Sequence, residues 1–497
     1  MFLRRIIAAG YLTAGYFLKN VTILRNSEVK SNRRAALIGR SGHIVKELKK
    51  SLLYTYGIAD MFFVLIVSME MYYFTMFLTD WAQFSMKTVQ LILLITGALD
   101  VACVLLSGII LEKITLKFGG KYRSWFLLGP LPIAILYIFQ FTKIGSDAVA
   151  VFIIILGFVS SHLLWNIVAA CGGAMIGRMT KDTKELTLLS SSRAQGMTAA
   201  GLIFSFAGPW MLLFFSGHTN QVKGASITVA VVGVFMILGY LYIFRATSGM
   251  DPYDTETAKT TQKDTALSLG EIARLVFRNS PLLLLMIAEI FRMACISLVA
   301  ALAAYYCKYV LDDEPFMQTF LLTTAVLGLA GSFFASWLGP RLGKRHTYWM
   351  SMAGAGIIYI LARFMATTAW SFAIMFGIGG AFVIIASCMS TALFSDTVVY
   401  GEWKNGKNIR AFTMALINLP IKISILIRSA VVTLGLMVIG YVANAEPTPE
   451  VVNGIASLIT FSNAVVCLLG AIVFFLGYKL KDEDIAKMQS ELAGRDK

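Results

Sequence analysis

Val89 to Leu111 reads VQLILLITGALDVACVLLSGIIL, and this stretch decides the fold class. Its 23 residues, at ~1.5 Å of helical rise each, match a hydrocarbon core ~30 Å thick. Near its middle stands Asp100. A charge at that depth costs roughly 2.5–3.5 kcal/mol on insertion scales, so it is expected to face a water-filled path or a partner. Thr96, Gly97, Cys103 and Ser107 lie three, four or seven residues away and share its helical face. Leu94, Leu99, Leu105 and Ile109 fall mostly elsewhere, on a face suited to lipid or packed neighbours.

Working outward, similar runs recur along all 497 residues, of which 57% are hydrophobic and only 14% charged. A soluble chain of this length would carry about 25% charged residues and form several domains. The runs are continuous rather than alternating, which excludes a β-barrel. An all-α membrane protein of twelve transmembrane helices is expected, at about 52–79, 87–111, 124–142, 147–177, 190–216, 225–246, 281–310, 316–340, 346–366, 368–395, 411–441 and 454–478. The net charge of +15 does not imply nucleic acid, because it sits in alternate loops as a membrane orientation signal requires. Those loops hold Lys113, Lys117, Lys121 and Arg123; Arg178, Lys181, Lys184 and Arg193; Arg341, Lys344 and Arg345; and Lys404, Lys407 and Arg410. The opposite loops carry acids such as Asp312, Asp313, Glu314, Glu446 and Glu450. Both termini and the long middle loop are therefore expected on the cytoplasmic side of a plasma membrane.

Five segments follow: a basic N-terminal extension (1–50) with an interfacial helix, a six-helix lobe (51–246), a cytoplasmic middle loop (247–280), a second six-helix lobe (281–480) and a cytoplasmic tail (481–497). The extension holds eleven Lys or Arg against Glu28 and Glu47, and whether it belongs to the native protein is left open. Gly120-Lys121-Tyr122-Arg123 after the second span and Gly343-Lys344-Arg345 after the eighth form a weak internal repeat. Such parallel repeats relate the halves of major-facilitator transporters, with solute bound between them near the midplane. The six cysteines are far apart without metal-ligand spacing, and no phosphate loop or nucleophile elbow is present. No enzyme chemistry, metal or cofactor is expected.

SDTVVYGEWKNGKNIRA (Ser395 to Ala411), LLYTYGIAD opening the first span, MEMYYFTMFLTD closing it, GGKYRSW after the second and IGYVANAEPTPE (Ile439 to Glu450) together resemble the glycoside–pentoside–hexuronide:cation symporters, the melibiose-permease group of the major facilitator superfamily. The resemblance covers about residues 52–485. It implies two six-helix lobes that rock about a central site and import a sugar, glycoside or uronide by symport with H⁺ or Na⁺. Residue by residue the transfer is mixed. Asp100 matches the first of two family aspartates that hold the coupling cation, but the second falls on Val104, and a neighbouring asparagine on Cys103. A family lysine near the cation site matches Lys422, and an arginine at the start of span five matches Arg193. Sugar-gripping aspartates fall on Val64 and Ala169, and a stacking tryptophan on Gly173.

Asp100, Lys422, Thr96 and Cys103 are thus the cation-coupling candidates. One carboxylate beside Val104 and Cys103 is a poor Na⁺ cage. A lone buried carboxylate suits a proton instead. Glu70, Asn166, Trp165, Asn418 and Arg193 are the substrate-binding candidates, with His162 as a further hydrogen-bonding group, since each desolvated solute hydroxyl needs a partner. Glu289 and Arg292, three apart, can neutralise each other. Asp60, Arg123, Asp396, Glu402 and Arg410, near cytoplasmic span ends, are the gating candidates. The expected partners are a small-molecule solute and the lipid bilayer, with the protein a monomer. Two other readings stay open: a transporter-like sensor or scaffold, and a carrier of a less polar solute such as a lysolipid.

Overall fold

The computed structural model describes residues 48–113, 119–180, 182–251, 277–405, 416 and 419–495. Asn418 and Arg410 lie outside them, as do residues 1–47 and most of the middle loop. Among the described residues every regular element is a helix, and no strand occurs. In chain order the first half contains α1 (Lys50–Thr55), α2 (Ile58–Met76), α3 (Met86–Lys113), α4 (Arg123–Leu128), α5 (Pro130–Gln140), α6 (Asp147–Met179), α7 (Thr183–His218) and α8 (Gln221–Ala246). The second contains α9 (Ser280–Tyr305), α10 (Phe316–Met365), α11 (Ala369–Asn405), α12 (Leu419–Ile439), α13 (Pro449–Gly477) and α14 (Asp482–Arg495). Among the described residues ten helices are long and apolar enough to cross a membrane, and α5 adds a shorter apolar one.

One of the ten, α10, corresponds to two expected spans. Its 50 residues would run about 75 Å as a straight helix, more than twice a hydrocarbon core. The chain breaks at Gly343, whose φ of 76° and ψ of 154° suit a residue without a side chain, three residues after Pro340. The Thr347 hydroxyl then lies 3.5 Å from the Leu338 carbonyl, so the two arms fold into a hairpin. Counting both arms, and α4–α5 as one crossing, gives twelve crossings in two sets of six.

The first crossing of each half ends in the same unusual way. Residues Phe77–Trp81 continue α2 as a π-helical turn, and Tyr306–Val310 continue α9 as another. Ala82 N–H bonds to Phe77 O and Phe84 N–H to Leu78 O; Leu311 N–H bonds to Tyr306 O and Asp313 N–H to Cys307 O. Gln83 and Asp312, at matching places, both have positive φ (55° and 50°). This match is a closer internal repeat than the loop motifs of the sequence, and π turns tend to occur where function demands an irregular helix.

Packing between crossings relies on close backbone approach, because lipid tails offer no hydrophobic drive to associate. A Cβ on Gly57 would meet the Ser192 carbonyl, and one on Gly196 would meet the carbonyl of Gly57. These glycines bring the start of α2 against α7. Across the halves, α3 packs on α12, α2 on α9 and α7 on α10.

Candidate functional site

At mid-membrane the polar face of α3 meets α12. Asp100 is 1% exposed, and the Lys422 ammonium donates to both its oxygens, at 2.9 and 2.7 Å. Residues 322 positions apart thus join the two halves through one ion pair. On the other side of Asp100 stands His162 of α6. Its Nδ1 lies 3.7 Å from Asp100 Oδ1, and its Nε2 lies 3.2 Å from Glu70 Oε2 and 3.4 Å from the Tyr137 hydroxyl. The imidazole therefore sits between two buried carboxylates, Glu70 of α2 and Asp100 of α3. An imidazole can carry a proton on either nitrogen, so this arrangement can pass or hold one between the acids.

Thr96 and Cys103 share the face of Asp100 but direct their donors elsewhere. The Thr96 hydroxyl donates to Ile92 O at 2.8 Å, and the Cys103 thiol reaches Val159 O at 3.6 Å. Val104 is 37% exposed. Among the candidates for solute contact, Trp165 stacks flat on Phe63 and the Asn166 amide donates to His162 O at 2.8 Å. Asn166 thereby neighbours the Glu70–His162 pair.

Arg193 is not free for a solute in this state. Its Nε and Nη2 each donate to Asp60 at 2.8 Å, a bidentate pair. The close approach of α2 and α7 at Gly57 and Gly196 places the two side chains face to face, and Gly172 and Gly173 leave room for the guanidinium. One substrate candidate and one gating candidate thus form a single unit within the first half.

The remaining gating candidates lie at the end of the molecule that carries the basic loops. Arg123 Nε donates to Phe244 O at 2.8 Å, while Asp251 accepts from the backbone N–H groups of Tyr122 (2.7 Å) and Arg123 (3.1 Å). Lys344 bridges Asp396 (2.6 Å) and Asp482 of α14 (3.3 Å). Glu402 sits in the last turn of α11, where the neighbouring Trp403 donates to Glu491 of α14 at 2.7 Å. Each of these contacts joins elements of one half. Glu289 and Arg292 are likewise internal to the second half: they pair at 2.6 Å, and the Tyr348 hydroxyl donates to Glu289 at 2.8 Å.

The opposite end differs. Asp80, 1% exposed in the first π turn, accepts from Lys308 at 2.6 Å, from the Tyr309 hydroxyl at 2.5 Å and from the Tyr441 hydroxyl. Asn444 donates its amide to Asp80 O at 2.6 Å and accepts from Lys308 at 2.8 Å. Beside them the Thr79 and Tyr305 hydroxyls lie 2.7 Å apart. Apart from the neighbouring Thr79 hydroxyl, which donates to Asp80 at 2.8 Å, the partners of Asp80 come from the other half, so this end is laced shut. Burial of the Tyr441 phenol, with Tyr305 and the Asp80 carboxylate beside it, pushes its pKa far up and keeps it a donor.

Sequence reasoning passed over this cluster, because Asp80 and Lys308 read as ordinary span ends. It also passed over Arg428, a buried cation in the apolar run of α12. There a signal existed, since an intramembrane charge is the same flag that drew attention to Asp100.

A family model described as MFS/sugar transport protein matches residues 55–482. The chain is 26% identical over 447 residues to a putative sulfoquinovose importer of Salmonella typhimurium, spanning 89% of this chain and 92% of the relative. It is 23% identical over 456 residues to the isoprimeverose transporter of Lactiplantibacillus pentosus, at 88% and 91%. A solved proton-dependent oligopeptide transporter superposes with a TM-score of 0.60 at 12% identity, over 89% of this chain and 100% of that one, a likeness of fold alone. The chain belongs to the MFS/sugar transport protein family, and is a multi-pass secondary transporter rather than an enzyme.

Proposed function

We propose that this protein imports a polar, sugar-type solute by symport with protons, through alternating exposure of a site between its two halves. The observation that carries the reading is the His162 imidazole between Glu70 and Asp100, with Asp100 tied to Lys422 of the other half. A proton taken up here changes the charge of a group beside the Asp100–Lys422 ion pair that joins the halves at mid-membrane, and so biases their packing. Na⁺ prefers several oxygen ligands, and Asp100 already gives both of its oxygens to an ammonium. The solutes for which the relatives are named, sulfoquinovose and isoprimeverose, support a sugar-type solute.

The basic loops favour a plasma-membrane orientation with both termini in the cytoplasm. The Asp80 cluster then closes the outer face, and the protein rests facing inward. Asp60, Arg123, Arg193 and Asp396 act as supports of each lobe on the cytoplasmic side, and the protein works as a monomer. No resident cofactor takes part. Uptake of labelled glycosides into proteoliposomes under an imposed ΔpH or ΔNa⁺ tests this reading. Accumulation driven by ΔpH alone is expected; accumulation that needs Na⁺ and ignores ΔpH would overturn it. Solute retained without any uptake would favour a sensor instead.

A further inference from the structure

Arg428 is 4% exposed, six residues beyond Lys422 on α12, and its Nε is buried without a hydrogen-bond partner. Among the described residues its guanidinium enters no hydrogen bond and no ion pair. Five N–H donors on a cation buried without an anion make a costly arrangement unless something supplies the missing acceptor.

The surrounding groups do not supply it. Glu70 of α2 is the carboxylate whose charge reaches Arg428, but its Oε2 faces His162 of α6 instead. Asp100 of α3 is taken by Lys422 of α12. From α5 come the neutral Tyr137, beside His162, and Gln140, beside Glu70. Both polar atoms of the Gln140 amide are buried without a partner, and so is His162 Nδ1. Unpartnered buried polar atoms are rare in a finished interior; here the Arg428 Nε–H and the Gln140 Nε2–H are donors, and Gln140 Oε1 and Glu70 Oε2 are acceptors. A cation and an amide together suit an acid with several oxygens.

Resting on the transport reading above, we infer that this cluster docks the acidic group of the solute, a carboxylate or sulfonate on a sugar, with Arg428 taking its oxygens and Gln140 assisting. The charges explain why a proton would come with it. Glu70 and Asp100 balance Lys422 and Arg428 when His162 is neutral, so a bound monoanion leaves one negative charge in excess. One proton on the Glu70–His162 pair restores neutrality. Anion and proton therefore bind cooperatively, and the loaded transporter moves no net charge.

The test uses full-length protein in proteoliposomes with phenyl β-glucuronide and phenyl β-glucoside, which differ by a carboxylate in place of a hydroxymethyl group, and with the matching 6-sulfonate glycoside. Counterflow is expected to favour an acidic member over the glucoside by at least about tenfold. Arg428→Gln should bring that ratio to about one, while Arg428→Lys, which keeps the charge but loses the fork, retains part of it. Uptake of the anion driven by ΔpH should be unchanged by an imposed potassium–valinomycin voltage.

Preference for the neutral glucoside, or an anion preference intact in Arg428→Gln, would overturn the inference while leaving sugar transport standing. Transport of none of the three would overturn both. If Arg428 only neutralises Glu70, the Glu70→Gln/Arg428→Gln pair should restore the melting temperature lost by either single change without altering the substrate ratio, and that result also counts against anion docking.

Discussion

Lys308 Nζ lies 2.6 Å from Asp80 Oδ2, so the π turn ending the seventh crossing is tied to the π turn ending the first. The Asp80 side chain has no exposure while that of Lys308 keeps 18%, so the pair is worth less than one buried at both ends. Asp80→Asn keeps the shape but removes the charge that holds Lys308 and two phenols. The expected loss is about 2–3 kcal/mol, somewhat below the cost of breaking a wholly buried pair. Hydrogen–deuterium exchange should rise at residues 77–81, 306–310 and 441–444 and stay unchanged around Lys344 and Asp396. Uniform protection across all of these would mean that the cluster does not hold the halves together.

Replacing Asp100 by Asn leaves the Lys422 ammonium without its counter-charge and removes a protonatable acid from the midplane. Concentrative uptake should disappear, while exchange of solute down its own gradient survives. A variant that still accumulates solute under ΔpH would take Asp100 out of the coupling route.

His162→Asn deletes the one imidazole between the two carboxylates and preserves an amide at that site. Accumulation of solute under an imposed ΔpH is expected to be lost in the variant, while counterflow at equal pH survives. Equal loss of both activities would show that His162 serves packing alone.

Gly196→Ala tests the crossing of α2 and α7. The added methyl would meet the Gly57 carbonyl directly, and backbone cannot swing aside as a side-chain tip can. A loss of about 1–3 kcal/mol is expected, as for other overpacked sites. Because the crossing aligns Arg193 with Asp60, the variant should also lose transport. Normal melting in detergent would show that the helices can separate without harm.

Much of the fold was legible because lipid imposes a crude and additive rule: a crossing needs about twenty apolar residues, wherever its neighbours are. That rule found the span of Asp100 and also the hairpin at Gly343, where the sequence showed two runs and the structure needed one glycine to turn between them. The site was only partly legible. Asp100 announced itself as a charge in an apolar run, and Lys422 came from the resemblance. The duty of Arg193 is fixed by a glycine-permitted helix crossing, which pairs it with Asp60, and no spacing along one chain encodes that. Asp80 stayed hidden for a further reason. Its partners in the other half lie 228 to 364 residues away, and only the folded contact distinguishes it from any acid at a membrane surface.

The two matching π turns carry a last consequence. Asp80 and Tyr309 occupy equivalent places in them, 229 residues apart, and so do Thr79 and Lys308. Had both copies kept the same side chains, the turns would face each other like against like, as at the axis of a symmetric dimer. Instead one copy holds the acceptor and the other the donors, so the internal symmetry of the backbone supports an asymmetric lock. The halves are therefore no longer interchangeable: making the turns identical in either direction removes the complementarity, whereas exchanging the two residue pairs wholesale would preserve it.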